Sequence, residues 1–310
     1  MDEIKKVSLI GLGAIGSFFA PRLYNWLDKG NFRVIADGER KERLETRGLT
    51  VNDINYKFPV ITPDYDKDTS DLIIISVKST ALDQAIKDIK NQVGPDTLIL
   101  CILNGIDNEE KVASVYGWEH VLYSYMYANI EMKNSIVKYS PSKVCVHFGE
   151  ATNHSYSDRV LKVKQLFDTC NISYQISEDM LFSMWYKYLA NLSINMAGAL
   201  LSLPIGAIFA SEHASAIVDA IIDEAIAVAN AKGINITKQD FKEQEESFKK
   251  IKYNNKPSSL TDLDNKKPTE VDVFSGAIMN LGNELGINTP INTLIYHAIK
   301  AYEEKNKGLI

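Results

Sequence analysis

Two short stretches of this chain combine residue types and spacings that suit chemistry. The first is Gly11-Leu12-Gly13-Ala14-Ile15-Gly16, which follows the apolar run Val7-Ser8-Leu9-Ile10 and leads into a helical pattern over residues 14–27. In a strand–turn–helix setting this spacing suits a dinucleotide. Gly11 permits the tight turn, Gly13 lets the backbone approach a pyrophosphate, and Gly16 lets helix and strand pack closely. Amides at the helix start favour the phosphate charge. A glycine-rich turn without a ligand is the plain alternative. Asp37 ends the second strand, at the distance where a carboxylate accepts from the ribose hydroxyls of NAD and opposes the extra phosphate of NADP. Arg40 follows three residues later and suits pairing with that phosphate, so these residues leave both cofactors open. Otherwise Asp37 is a loop cap and Arg40 a solvated surface charge.

The second stretch is Trp185-Tyr186-Lys187-Tyr188-Leu189-Ala190-Asn191-Leu192-Ser193-Ile194-Asn195. Lys187, Asn191 and Asn195 stand at i, i+4 and i+8, on one face of a helix. One cation and two amides in a row suit a small polar ligand, although a solvent-facing polar stripe has the same pattern. Hydride delivery to a ketone leaves an alkoxide, which needs a proton donor within hydrogen-bond reach. A partly buried lysine can serve, because desolvation lowers its pKa towards neutrality. The carboxylate to orient it, or the substrate hydroxyl, is Glu270 in Pro268-Thr269-Glu270-Val271-Asp272.

These residues need elements to hold them. Residues 32–36, 71–77 and 97–103 are unbroken or nearly unbroken apolar runs separated by helical patterns such as 81–93. Such runs indicate a parallel sheet covered on both faces, and hence a doubly wound α/β domain. Beyond about residue 178 the texture turns helical, over 180–201, 211–232, 238–252, 270–285 and 289–304, with a polar, loop-like stretch at 254–268. Lys232-Gly233 and Leu285-Gly286 read as helix ends. A dinucleotide-binding domain over residues 1–177 and a helical substrate and catalytic domain over 178–310 are expected.

Composition limits the class. The 310 residues amount to about two domains, and 45% hydrophobic with 24% charged residues is ordinary globular usage. The net charge of −6 offers no broad basic face, which argues against a nucleic-acid partner. Cys101, Cys145 and Cys170 form no C-x-x-C pair, and Cys101 and Cys145 read as buried thiols. His120, His147, His154, His213 and His297 show no ligand spacing, so no metal is expected. The opening Met1-Asp2-Glu3-Ile4-Lys5-Lys6 does not read as a signal peptide. The apolar stretch 197–210 is too short for a bilayer and contains Pro204. A soluble protein of a reducing compartment, the cytoplasm, with no membrane partner, is expected.

Over essentially its whole length the chain resembles the ketopantoate reductase (2-dehydropantoate 2-reductase) family. The resemblance rests on the glycine turn, Val77-Lys78, Leu103-Asn104-Gly105, the 185–195 helix, Pro257-Ser258-Ser259-Leu260 and Thr269-Glu270-Val271-Asp272. It implies an N-terminal Rossmann-type doubly wound sheet followed by an all-helical domain of the 6-phosphogluconate-dehydrogenase-like type. It implies reduction of 2-dehydropantoate to pantoate by hydride transfer from a nicotinamide, in pantothenate and coenzyme A biosynthesis. The usual cofactor of the family is NADP(H), whereas Asp37 suits NAD(H). Carried over to this chain, Lys187 is the general acid, and Glu270 holds Lys187 and the nascent hydroxyl. Ser259 binds the substrate carboxylate, and Asn191 and Asn195 fix the substrate's polar groups. Lys78 and Asn104 line the nicotinamide side of the cofactor, Asn104 reaching substrate as well. A helical second domain of this kind often carries a dimer contact, so a homodimer is the assembly to test.

The chain departs from the family pattern in three places. Asp37 stands where a basic residue is common. Lys256 stands where a substrate-contacting asparagine is common, and the segment from Ser259 to Glu270 is one residue shorter. A related small 2-keto acid is therefore the alternative substrate. A non-catalytic dinucleotide sensor would need Asp37 and the glycine turn but not the Lys187/Glu270 pair. The Tyr139-Ser140-Pro141-Ser142-Lys143 match to a short-chain dehydrogenase is discounted, because Pro141 does not suit a helix.

Overall fold

Strand residues that alternate between two apolar faces organise the first part of the chain. In β6 (Ser70–Ile75), Leu72 and Ile74 enter one core while Ile73 and Ile75 enter another on the opposite side of the sheet. β1 (Val7–Ile10) and β7 (Val93–Cys101) divide the same way: Leu9 and Leu100 face the first core, Ile10, Ile99 and Cys101 the second. A strand buried on both faces has no polar positions to spare, which is why these runs are continuous in the sequence. The computed structural model describes residues 3–310, which divide into two units between Met180 and Leu181.

The first unit runs β1, α1 (Gly16–Trp26), β2 (Phe32–Ile35), α2 (Gly38–Arg47), β3 (Leu49–Val51), β4 (Ile54–Tyr56), β5 (Val60–Ile61), β6, α3 (Leu82–Asp88) and β7. It continues with α4 (Asn108–Tyr116), β8 (Val121–Tyr127), β9 (Ile130–Lys133), β10 (Ile136–Tyr139), β11 (Cys145–Gly149), α5 (Asp158–Thr169) and β12 (Tyr174–Gln175). The main sheet has the order β12-β11-β8-β7-β6-β1-β2-β5. From β5 to β8 its pairs are parallel, and β11 is antiparallel to β8. The chain goes from β1 outward through β2 to β5, then returns to β6 on the other side of β1. That reversal is the switch point at which doubly wound sheets bind ligands. A smaller sheet, β4-β3-β10-β9, is built from short strands with exposed residues. The alternation over 121–149 and this second sheet went unread in the sequence, because they rest on pairings between distant segments.

The second unit is helical: α6 (Met180–Leu201), α7 (Ile205–Ala210), α8 (Glu212–Ala231), α9 (Lys238–Phe248), α10 (Ser258–Asp264), α11 (Ser275–Leu285) and α12 (Pro290–Asn306). Glu224 on α8 fastens the start of α12, accepting from the Ile291 and Asn292 amides at 2.7 and 2.8 Å. A carboxylate at a helix N-terminus satisfies donors the helix leaves unpaired. Three expectations are corrected here. The 254–268 stretch holds the short helix α10, and the helix expected from residue 270 begins only at Ser275, after a turn. Cys145 is half-buried, not buried, because it starts a strand near the edge of the sheet. Among the described residues no helix is long and apolar enough to cross a membrane.

The glycine turn yields a direct test of packing. A Cβ on Gly16 would overlap the Gly11 carbonyl oxygen and lie 2.8 Å from Ser76 Oγ, whereas one on Gly13 would meet nothing within 4 Å. Gly16→Ala should therefore lose about 1–3 kcal/mol of stability in urea unfolding. Gly13→Ala should be neutral or slightly stabilising, by about 0.4–1 kcal/mol at most.

Candidate active site

The first unit gathers its candidate residues at the carboxyl ends of neighbouring strands. β1 ends in the glycine turn, which is pressed against the chain leaving β6. The Ser76 amide donates to the Ile10 carbonyl at 2.9 Å, and Ser76 Oγ donates to the Gly11 carbonyl at 2.9 Å. Gly11 has φ +98°, and a Cβ there would lie 2.5 Å from the Ser76 carbonyl carbon and from the Val77 nitrogen. Only glycine fits so close an approach at that angle. The Gly13 amide donates to the Gly11 carbonyl at 2.8 Å, and the Ser17 amide to the Gly13 carbonyl at 3.0 Å, starting α1. Leu12 is buried, while Gly13, Ala14 and Ile15 are half-buried, so the turn offers backbone and not side chains to a ligand. The open space over Gly13, between two closed glycines, is what a pyrophosphate against the backbone requires.

The other candidates of this unit stand along the same edge. Asp37 follows β2 as the N-cap of α2, its Oδ1 accepting from the Gly38 amide at 2.5 Å, and Arg40 is exposed in the first turn. The capping alternative for Asp37 is thus realised, and it fixes the carboxylate at the end of the strand. Lys78 is exposed two residues beyond Ser76, and Asn104 is half-buried three residues beyond β7.

In the second unit α6 carries Lys187 and Asn191, both half-buried, and Asn195, 4% exposed. The amide of Asn195 is engaged at both ends. Nδ2 donates to the Asn191 carbonyl at 2.9 Å, and Oδ1 accepts from Ser258 Oγ at 2.7 Å and from the Ser259 amide at 2.9 Å. α10 has Pro257 as its N-cap, which makes no side-chain cap, so Asn195 supplies one from another helix. Gly198, one turn on, allows this approach: a Cβ there would lie 2.5 Å from the Pro257 ring. The effect is to fix Ser259, whose Oγ is buried at 1% exposure and has no partner among the described residues. A buried hydroxyl without a partner is uncommon and marks a position where a polar ligand atom would be stabilised. Lys256 pairs with Asp264 at 2.7 Å, so its charge is answered within the α10 segment.

Glu270 is half-buried in the turn before α11, and its backbone is held from both sides. Glu303 on α12 accepts from the Thr269 amide and hydroxyl, both at 2.7 Å. The Phe274 amide donates to the Glu270 carbonyl at 3.2 Å, and Tyr188 of α6 donates its hydroxyl to the Phe274 carbonyl at 2.7 Å. Lys187 and Glu270 therefore sit on segments that Tyr188 ties together, while Asn195 ties the same helix to Ser259.

The model of "Ketopantoate reductase PanE/ApbA" matches residues 7–153, and that of its C-terminal domain matches residues 179–303. The chain belongs to the ketopantoate reductase family. It is an oxidoreductase with a Rossmann-type first unit. A 2-dehydropantoate 2-reductase of Streptococcus pyogenes is 26% identical over 303 residues, covering 96% of this chain and 97% of that protein. Among solved structures, D-mandelate dehydrogenase with NADH and anilino(oxo)acetate superposes with a TM-score of 0.84 at 24% identity. The dimeric ketopantoate reductase of Staphylococcus aureus superposes with 0.78 at 22%. Each covers 97% of this chain and 99% of its own, and at these identities the likeness is one of fold.

One residue of the first unit escaped the sequence reading. Glu109, in the opening turn of α4, is 1% exposed, and burial, with smaller contributions from Asp107 and Glu110, pushes its carboxyl up to about 8. In sequence it looks like an ordinary first-turn carboxylate favoured by the helix dipole. Folded, it holds a proton that the unfolded chain releases near 4.5. The stability this proton brings is complete below about pH 4.5 and is lost as the pH rises towards 8. Glu109→Gln cannot ionise, so urea unfolding at pH 8.5 should find it more stable than wild type, by on the order of 2–4 kcal/mol. That advantage should vanish at pH 5.

Proposed function

We propose that this chain is an NAD(P)-dependent 2-dehydropantoate 2-reductase, which makes pantoate for pantothenate and coenzyme A biosynthesis. The observation that carries this reading is the frame around α6. One helix presents Lys187 and, through Asn195, fixes the buried Ser259 hydroxyl, which has no partner among the described residues. A reductase of a 2-keto acid needs both functions: a proton donor for the oxygen that becomes alkoxide, and a hydrogen-bond donor for the neighbouring carboxylate. A dinucleotide sensor needs neither.

The glycine turn would hold the pyrophosphate, with Lys78 and Asn104 towards the nicotinamide and Asp37 and Arg40 towards the adenosine ribose. When bound, the nicotinamide supplies the hydride. Lys187 then protonates the carbonyl oxygen, and Glu270 holds the ammonium and the new hydroxyl in line. Ser259 donates to the substrate carboxylate, Asn191 faces the substrate's polar groups, and Asn195 acts by seating Ser259. The short α10 segment and Lys256 favour a second reading on the same chemistry, a related 2-keto acid of different shape. Relative efficiencies on 2-dehydropantoate and on a phenyl-substituted 2-keto acid separate the two. A cytoplasmic homodimer is part of the reading, and light scattering on the purified protein measures the assembly.

Lys187→Ala should lower kcat by about 10²–10⁴-fold and leave the dissociation constant of the reduced cofactor unchanged. Unchanged turnover would remove Lys187 from the chemistry. Ser259→Ala should raise KM for the keto acid by about ten- to hundredfold, the worth of a hydrogen bond to a charged group.

Cofactor choice is a contest between Asp37, which accepts from a 2′-hydroxyl, and Arg40, which pairs with a 2′-phosphate. We expect efficient use of NADH alongside NADPH, and Arg40→Ala should reduce kcat/KM for NADPH far more than for NADH. A strong NADPH preference that survives loss of Arg40 would contradict this assignment of Asp37.

A further inference from the structure

β7 and β8 pair at Ile99 with Val121 and at Leu100 with Leu122. Beyond that point side chains take over the hydrogen bonding. The Cys101 amide donates to Ser124 Oγ at 2.8 Å, and the Ser124 amide donates to Glu109 Oε1 at 3.2 Å. On the same helical turn, Asn108 Nδ2 donates to the Asn104 carbonyl at 3.1 Å, and a Cβ on Gly105 would lie 2.9 Å from that nitrogen. Asn108 and Glu109 thus bind the start of α4 in two directions, back to the 104–105 turn and across to β8. Both are buried, at 2% and 1% exposure, and each keeps one oxygen, Asn108 Oδ1 and Glu109 Oε2, without a partner among the described residues.

An ionised carboxyl with one unanswered oxygen in such a place costs several kcal/mol, whereas the neutral acid costs far less. The charges that bear on it are Asp107 and Glu110, both of its own sign, and Asp107 is itself paired with Lys111 at 2.8 Å. The titratable groups that face it from the strands are the Cys101 thiol on β7 and the Tyr123 hydroxyl on β8. Both are pushed up, so neither supplies a countercharge.

We propose that Glu109, as the neutral acid, is a positioning residue that holds the 104–108 turn against β8 in the shape that receives the nicotinamide end of the cofactor. The proposal rests on the reading of the glycine turn and Asn104 as a dinucleotide site. Glu109 touches no reacting atom; it acts through the Ser124 amide and through Asn108 on the Asn104 carbonyl. Ionisation adds a buried negative charge beside Asp107 and Glu110, and the turn must shift to let water reach it. Cofactor affinity then scales with the fraction of protein that keeps the proton.

The test is a fluorescence titration with NADH and with NADPH from pH 6.5 to 9, on wild type, Glu109→Gln and Glu109→Ala. Wild type should weaken by up to about tenfold between pH 7 and 9, following the loss of that proton. Glu109→Gln, a permanently neutral side chain that can still accept from the Ser124 amide, should show no such slope. Glu109→Ala should bind weakly at every pH, with the KM of the keto acid moving less than that of the cofactor. A slope in Glu109→Gln equal to that of wild type would overturn the proposal, even if Glu109→Ala fails to fold. So would wild-type affinity in Glu109→Ala. Failure of wild type to bind either dinucleotide at any pH would instead overturn the reading on which the proposal rests, which keeps the two failures apart.

Discussion

The close approach between the chain leaving β1 and the chain leaving β6 sets the terms for the rest of the first unit. Gly11 lies so near the Ser76–Val77 backbone that no side chain fits between them, and Ser76 hydrogen-bonds the turn from the other strand. This contact lies at the reversal of strand order, between the adjacent strands β1 and β6. It fixes the turn as a rigid piece of backbone. Because Gly16 is closed as well, the open space falls over Gly13. The open backbone over Gly13, which we propose for the pyrophosphate, is thus defined by where the chain has been forced to go, with no charged side chain required to form it.

The second unit solves a different problem by the same economy of parts. Its candidate residues come from three segments separated in sequence, α6, the start of α10, and the turn before α11. Each segment is tied to α6 or to α12 through a side-chain bond to backbone. Asn195 caps α10 where proline cannot, Tyr188 holds the carbonyl of Phe274, and Glu303 holds Thr269 beside Glu270. Side chains that bind backbone position their neighbours without occupying the space a substrate needs. This explains why Asn195, the last of three polar residues in a row on α6, serves structure: its amide is engaged at both ends.

Buried polar groups divide the two units' candidates into finished and unfinished ones. Asn195, Glu224 and Glu303 have their bonding met by backbone amides and side chains close by. Among the described residues, Ser259, Asn108 and Glu109 each keep one atom unanswered. Since most buried polar atoms in folded proteins are paired, such exceptions call for an explanation. The proposed substrate carboxylate would supply it at Ser259, and a retained proton supplies it at Glu109.

Much of this was legible in the sequence because it is local. The glycine spacing after a short apolar strand, the unbroken runs at 71–77 and 97–103, and the i, i+4, i+8 row on α6 follow from the periods of strand and helix. Those periods operate over a few residues. What the tertiary structure alone decided depends on partners far apart in the chain. Asn195 acts on Ser259 sixty-four residues away, β11 pairs with β8 across two intervening strands, and α10 begins inside a polar stretch because a distant asparagine caps it. Glu109 is the clearest case. A glutamate in the first turn of a helix reads as a solvated charge, and only its enclosure by β7 and β8 withdraws the water that would keep it ionised.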